Sequence, residues 1–232
     1  ILPTYFSSSP LTGRHLSSLE DGVLATTTEA ASTLLTKARS LRAETGSRYL
    51  QIRGGIVDQE ADVTQPTVRT IIETSEPVET LWAAVKKKTR WAVRQAEQQD
   101  LSIEHDATLA RMGEFYTAYA AHVRDLGTPV FGADMFKAIV THLGHDRLRL
   151  YIVNHRGRLI GGMLRIINGR RWMDYYAIVR RMPDTEFANY LLYWHVIRDA
   201  SQNGVRRFDL GRSTPDSNVH LFKRKWRGTD IE

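Results

Sequence analysis

Apolar positions along the chain switch between two spacings, and each switch marks an element. Over residues 29–44, Ala30, Leu34, Leu35, Ala38 and Leu41 keep helical spacing, and Gly46 is placed to end that helix. Short strand-like runs precede it, from Ile1 to Phe6 among others, and Tyr49–Arg53 and Val68–Glu73 follow as strands. The pattern then predicts a helix over Glu79–Gln99, a strand around Leu101–Glu104, and helices over Leu109–Asp125 and Ala133–Leu143. Arg147–Asn154 and Arg158–Ile167 read as a hairpin about Arg156-Gly157, and Gly169-Arg170 turns the chain into a third strand, Arg171–Val179. A long helix, Phe187–Ser201, stops at Asn203-Gly204, and the strand Arg206–Leu210 follows it. This order predicts an α/β (α+β) fold, a mixed sheet flanked by helices.

Composition narrows the classes. A chain of 232 residues with 42% apolar content can fill a core and is not a disordered polypeptide. With no cysteine, disulfide scaffolds, thiolate zinc sites and cysteine nucleophiles are excluded. No apolar run approaches the roughly 20 residues of a membrane span, and no signal peptide is expected from the opening residues. The net charge of +6 is uneven: residues 1–75 sum to −1 and residues 76–232 to +7. The basic character, which favours a phosphate-bearing or polyanionic partner, therefore belongs to the second part. Thr74-Ser75-Glu76-Pro77 is the predicted boundary between a first domain, 1–75, and a second, 76–232. No short-period repeat is visible. His142 and His145 lack a third ligand in register, so no metal site is expected.

Four segments carry candidate chemistry. Lys86 to Arg94 holds five cations and no acid, and Lys87, Arg90, Trp91 and Arg94 share a helical face suited to phosphate and a stacked ring. The same segment also reads as a solvated amphipathic helix whose Leu81, Val85, Trp91 and Ala92 cover the core. In Phe208-Asp209-Leu210-Gly211-Arg212-Ser213 a strand delivers Asp209, Arg212 and Ser213 to its carboxyl end, where open sheets bind ligands. Asp209 is suited to accept a proton from an amine, and Arg212 to fork onto a phosphate. A local ion pair is the plainer reading. In Phe222-Lys223-Arg224-Lys225-Trp226-Arg227-Gly228, extended alternation would send Phe222, Arg224 and Trp226 one way and Lys223, Lys225 and Arg227 the other. The turn after Ala177-Ile178-Val179, with Arg180-Arg181, can present amides to an oxyanion, and Tyr175 and Tyr176 lie just before it.

Taken in order, several segments resemble FemAB-like (Fem-type) transferases of the GNAT superfamily. They are Leu81-Trp82, Lys87 to Ala96, Leu126 to Phe131, Asn189 to Trp194, Phe208 to Ser213 and Phe222 to Trp226. The likeness is nearest to the branch found beside exosortase/PEP-CTERM and exopolysaccharide loci. It implies a GNAT-type fold with two lobes, residues 1–75 being the trailing part of a first lobe whose start is absent and 76–232 the second. It also implies a cytoplasmic enzyme, working at the inner face of the membrane where its acceptor is lipid-linked. Fem-type relatives transfer an aminoacyl group from charged tRNA to an amine of a peptidoglycan precursor without a metal. Other GNAT relatives use acyl-CoA, whose pyrophosphate sits on a glycine-bearing loop before the long helix. Here that loop reads Arg180 to Ala188 and holds no glycine, which disfavours CoA and leaves tRNA or another activated carrier open. The resemblance maps the family's C-terminal lysine, near the precursor's phosphates, onto Lys223.

The resulting expectation is an N-acyl or aminoacyl transferase acting on an amino group of a cell-envelope or exopolysaccharide precursor. No cofactor is required beyond the donor, aminoacyl-tRNA or acyl-CoA. Asp209 and Tyr176 are the expected catalytic residues. Lys223, Arg212, Ser213, Arg90, Arg94, Trp91, Arg180 and Lys225 would bind substrate. Two rivals stand beside it. One is an acyl-CoA-dependent N-acyltransferase, which CoA binding would reveal. The other is a non-catalytic module gripping RNA or anionic lipid, which would show steep salt dependence and no transfer.

Overall fold

The computed structural model describes residues 1–9, 13–19, 22–53, 67–180 and 182–231. Two compact units divide at Thr64/Gln65. In the first, β1 (Thr4–Ser9) and β2 (Gly13–Ser18) form an antiparallel hairpin, and α1 (Thr28–Glu44) leads to β3 (Tyr49–Gln51), which lies parallel to β2. The Thr27 hydroxyl accepts the Ala30 N–H to start α1, and Gly46, at φ +62°, follows its C-cap as expected.

The second unit opens with β4 (Val68–Glu73), α2 (Val78–Ala84) and α3 (Lys87–Glu97). Then come β5 (Leu101–Asp106), α4 (Met112–Asp125), α5 (Ala133–Leu143), β6 (Leu148–His155), β7 (Arg158–Asn168) and β8 (Arg171–Val179). The chain continues through α6 (Ala188–Gln202), β9 (Arg207–Ser213), α7 (Asn218–Arg224) and β10 (Thr229–Ile231). The seven strands order as β10-β4-β9-β8-β7-β6-β5, and among them β8 and β9 are the parallel pair. One face packs on α6 through Trp172, Phe208, Val153, Leu192 and Val196; the other packs on α4 and α5 through Phe115, Phe136, Leu150 and Leu164. The fold is thus mixed α/β. The path β1-β2-α1-β3 has the same topology as β7-β8-α6-β9: a hairpin, a crossover helix, then a parallel strand.

Three expectations need correction. Val68–Glu73 is not the end of the first unit, because β4 pairs with β9 and β10 in the larger sheet. The helix read across Glu79–Gln99 is two helices. Val85 and Lys86 are extended (ψ 138° and 142°) so that Val85 can bury, and Arg90 Nη1 donates to the carbonyls of Trp82 and Ala83 at the end of α2. The run from Phe222 is helical rather than extended. Ser217 caps α7 by accepting the His220 N–H, and the helical turn sends Lys223 inward with Trp226 while Arg224 stays exposed. Lys223, Lys225 and Arg227 therefore do not line one side of an extended segment.

Among the described residues no helix is long and apolar enough to cross a membrane. Gly161 and Gly162 mark close backbone approach in the sheet, and Gly162 lies under the α4 face. A Cβ there would collide with the Tyr151 carbonyl oxygen and come within 3.2 Å of the Phe115 ring. Gly162→Val should cost about 1–3 kcal/mol or more by overpacking, read as a fall in the urea midpoint.

Candidate active site

The parallel pairing of β8 and β9 covers Arg171–Met173 against Arg207–Asp209. Beyond it β9 stays with β4, as far as Val68 opposite Ser213, and β8 stays with β7, as far as Gly161 opposite Val179. The two strands therefore part, and a cleft opens at their carboxyl ends.

Asp174 lies at the apex of that cleft. Its Oδ2 accepts the Tyr193 hydroxyl from α6 at 2.7 Å. Burial raises its pKa to about 6 against the opposing pull of the Tyr193 bond and the Lys223 charge, and the Asp209 charge pushes the same way as burial. Gly211 faces it from β9 at φ +71°; a Cβ there would lie 3.6 Å from the Asp174 carbonyl oxygen and 3.9 Å from Lys223 Nζ. Lys223 is 5% exposed and its Nζ donates to the carbonyls of Gly211 and Arg212 at 3.1 and 3.0 Å. Asp209 is fully buried. Its Oδ2 accepts Arg171 Nη2 at 2.8 Å and lies 3.5 Å from Arg69 Nε, while its Oδ1 accepts the Gly211 N–H at 2.8 Å. This carboxylate is clamped between two guanidiniums and shapes the β9 backbone.

A cation–aromatic chain runs from α3 to α7 past the start of α6. Trp91, half exposed, meets Phe187 edge-on at 5.2 Å, and Phe187 meets Tyr190 at 6.2 Å. Lys225 Nζ donates to the Tyr190 hydroxyl at 2.7 Å, and Phe222 meets the same ring edge-on at 5.1 Å. The structure so joins Trp91 with Lys225, and Lys223 with Asp209, Gly211 and Arg212. Arg94 and Arg180 are exposed, on α3 and just past β8. Arg90 is spent on capping α2. Ser213 is buried, and its Oγ is without a hydrogen-bond partner among the described residues.

Tyr176 sits on the parted stretch of β8, facing α4 and α5, because a bulge in the β7–β8 ladder changes the phase between Asp174 and Tyr176. It packs at 5.0 Å from Tyr119 and 5.3 Å from Phe136. Burial, with the neighbouring tyrosines, raises its pKa and keeps the hydroxyl protonated. In the turn before α6, the Met182 N–H bonds to Thr185 Oγ1, the Thr185 N–H to the Met182 carbonyl and the Ala188 N–H to the Thr185 carbonyl. Arg181 lies outside the described residues. Asp174 and Tyr193 were not singled out from the sequence. The signal available was an acid two positions after Trp172, on the buried face of a strand.

The raised carboxyl gives a signed expectation. Tyr193→Phe removes a bond that lowers the Asp174 pKa, so its midpoint in carboxyl ¹³C NMR should move above about 6. A folded pKa above the ordinary 3.8 means the ionised form destabilises the fold, fully above about pH 6 and progressively less as pH falls toward 4. Asp174→Asn should therefore compare more favourably with the wild type at high pH than at low pH in urea unfolding.

A search among curated protein sequences finds no significant match. The structure is similar to the crystal structure of FemX, with TM-score 0.66 and 14% identity over 99% of this chain and 81% of that one. It is also similar to the C-terminal domain of a putative lysylphosphatidylglycerol synthetase from Agrobacterium fabrum (TM-score 0.62, 12% identity, 98% and 81% covered). A tandem GNAT protein of the clavulanic acid biosynthesis pathway matches with TM-score 0.56 and 13% identity over 93% and 72% of the chains. These likenesses are of fold. The family described as "Acetyltransferase (GNAT) domain" matches residues 83–224, from α2 to the end of α7 and so across the whole cleft, and the chain belongs to that family.

Proposed function

We propose that the protein transfers an acyl group, aminoacyl included, from an activated ester to an amino group of a cell-envelope or exopolysaccharide precursor. The carrying observation is the Asp174 carboxyl at the apex of the parted strands, with a pKa near the pH at which it must exchange a proton. The amine lone pair attacks the acyl carbonyl, a C–N bond forms, and the ester C–O bond breaks as the tetrahedral intermediate collapses. Asp174 takes the ammonium proton, and Tyr176 returns one to the leaving oxygen. Backbone amides along the β8 edge that has left β9 hold the oxyanion.

The other site residues support this chemistry. Asp209 holds Gly211 in place, and Lys223 braces the end of β9 by its bonds to two carbonyls. Arg212, Ser213, Arg94, Arg180 and Lys225 bind the anionic portions of the substrates, with Arg90 steadying the helix that presents Trp91 for stacking. FemX and the lysylphosphatidylglycerol synthetases among the structural neighbours favour an envelope acceptor, either a small molecule or lipid-linked. Residues 1–64 are read as the later part of a first GNAT-like lobe, on the shared path of hairpin, crossover helix and parallel strand.

The family's CoA donor fits this turn poorly. Two amides before α6 and that of its first residue are already bonded within the turn, Pro183 has none, and Asp184 stands in the same turn. We therefore favour aminoacyl-tRNA as donor, and a cytoplasmic protein that meets lipid-linked acceptors at the inner membrane face.

Isothermal titration with acetyl-CoA should show no binding below millimolar concentration, and mass spectrometry should detect transfer from aminoacyl-tRNA. Micromolar acetyl-CoA binding would overturn the donor assignment. Asp174→Asn should lower kcat about 10²- to 10³-fold with KM little changed, and Lys223→Ala should raise the acceptor KM. Unaltered kinetics in a folded Asp174→Asn variant would remove the base.

A further inference from the structure

Beneath the C-terminal half of α6 lies a charged group that acyl transfer does not use. Arg165 on β7 is fully buried, its guanidinium 3.0 Å from the Trp172 ring centre and 4.5 Å from that of Tyr151. Its Nη2 donates to Asp199 Oδ2 at 3.1 Å, and the Tyr151 hydroxyl donates to the same oxygen. Arg165 Nε and Nη1 have no hydrogen-bond partner among the described residues. Arg149, directly across the ladder from Arg165, brings its guanidinium to 5.9 Å from the Trp172 ring centre, and its Nη1 lies 3.3 Å from His105 Nε2. His105 stacks on Tyr151 at 5.3 Å. On α6, Arg198 lies 3.2 Å from His195 Nδ1, and His195 meets Tyr151 edge-on at 5.9 Å.

Of these three guanidiniums only that of Arg165 meets a carboxylate, Asp199, while Arg149 and Arg198 lie against imidazoles. Guanidinium N–H groups donate and never accept, so Arg149 and Arg198 rest against imidazole lone pairs where carboxylates would be stronger partners. The aromatic rings satisfy the faces of the Arg165 guanidinium, but its in-plane N–H groups need an acceptor. Burial first, then Arg149, lowers the pKa of His105; burial and Arg198 do the same to His195; and burial brings Arg165 down to about 9. Burial leads each shift, and neighbouring guanidiniums add to it. His105 is exposed and Arg149 partly so, which leaves the outer side of the group open to solvent.

We propose that Arg149, His105 and Arg165 form a second binding site, separate from the acyl-transfer cleft, that recognises a phosphate group. Arg149 forks onto two phosphate oxygens, and His105 takes a proton and adds a donor once the anion is present. Arg165 supplies charge from below. The side chain of Arg165 runs toward Tyr151, Trp172 and Asp199, although its cross-strand neighbour on β8 is Asp174. The site does not depend on the acyl-transfer reading.

Thermal unfolding in inorganic phosphate against chloride at equal ionic strength tests it. Phosphate at about 10 mM should raise the wild-type Tm by about 3 °C. Arg149→Ala and His105→Ala should lose most of that shift. Arg149→Lys, which keeps the charge and the fold but loses the fork, should lose it as well. Co-sedimentation with vesicles of phosphatidylglycerol in phosphatidylcholine separates the sources. Pelleting abolished by Arg149→Ala assigns the phosphate to a lipid headgroup, and a Tm shift without pelleting assigns it to a free phosphate. No Tm shift together with no pelleting, or a shift that the variants retain, overturns the site.

Discussion

Parallel strands must be joined by a crossover, and α6 is the crossover between β8 and β9. The pairing it connects is short, Arg171–Met173 against Arg207–Asp209, while each strand runs on beside the antiparallel partner on its other side. Where the parallel pairing ends the strands part, and the parting makes the cleft. Asp174 is the first β8 residue beyond the paired stretch, and the α6 helix that forces the parallel geometry also supplies the Tyr193 hydroxyl that holds its carboxyl. Scaffold and chemistry share one element.

The β9 side of the cleft is held by its pairing with β4 and by charge. Two arginines, from β4 and β8, close on the buried Asp209, whose second oxygen fixes the Gly211 N–H. Removing one partner from such a buried pair is costly, since it strands an uncompensated charge. Lys223 reaches in from α7 and takes the next two carbonyls. An end of strand with no neighbour on its β8 side is thereby kept in a single conformation, which a site for positioned acyl transfer needs.

Polar contacts join the sheet to α6 at two places, Asp174 with Tyr193, and Asp199 with Arg165 and Tyr151. They differ in balance. The first joins a carboxyl to a neutral donor. The second belongs to a group with more guanidiniums than carboxylates, partly open to solvent at Arg149 and His105. A helix that carries the acyl-transfer apex at Tyr193 and this surplus at Asp199 spans two distinct environments.

Most elements of the second unit were legible in the chain. The hairpin about Arg156-Gly157, the strand Arg171–Val179 and the long helix after it are encoded by local periodicity and turn residues, which act within a few positions. The Asp209–Ser213 segment was legible as a strand end for the same reason. Partnership across the sheet was not. That β4 joins the larger sheet, that Val85 and Lys86 break a helix so Val85 can bury, and that α7 turns Lys223 inward all depend on contacts between residues far apart in sequence. Asp209 shows the difference most plainly: its position at the strand end is readable, but its clamp requires Arg69, 140 positions earlier, and Arg171. Asp174 needed tertiary structure entirely, since its perturbed carboxyl arises from burial and from a tyrosine on another element. Local sequence thus determined the elements and their order, while the packing of distant surfaces decided which charges are buried, which are paired, and where the strands part.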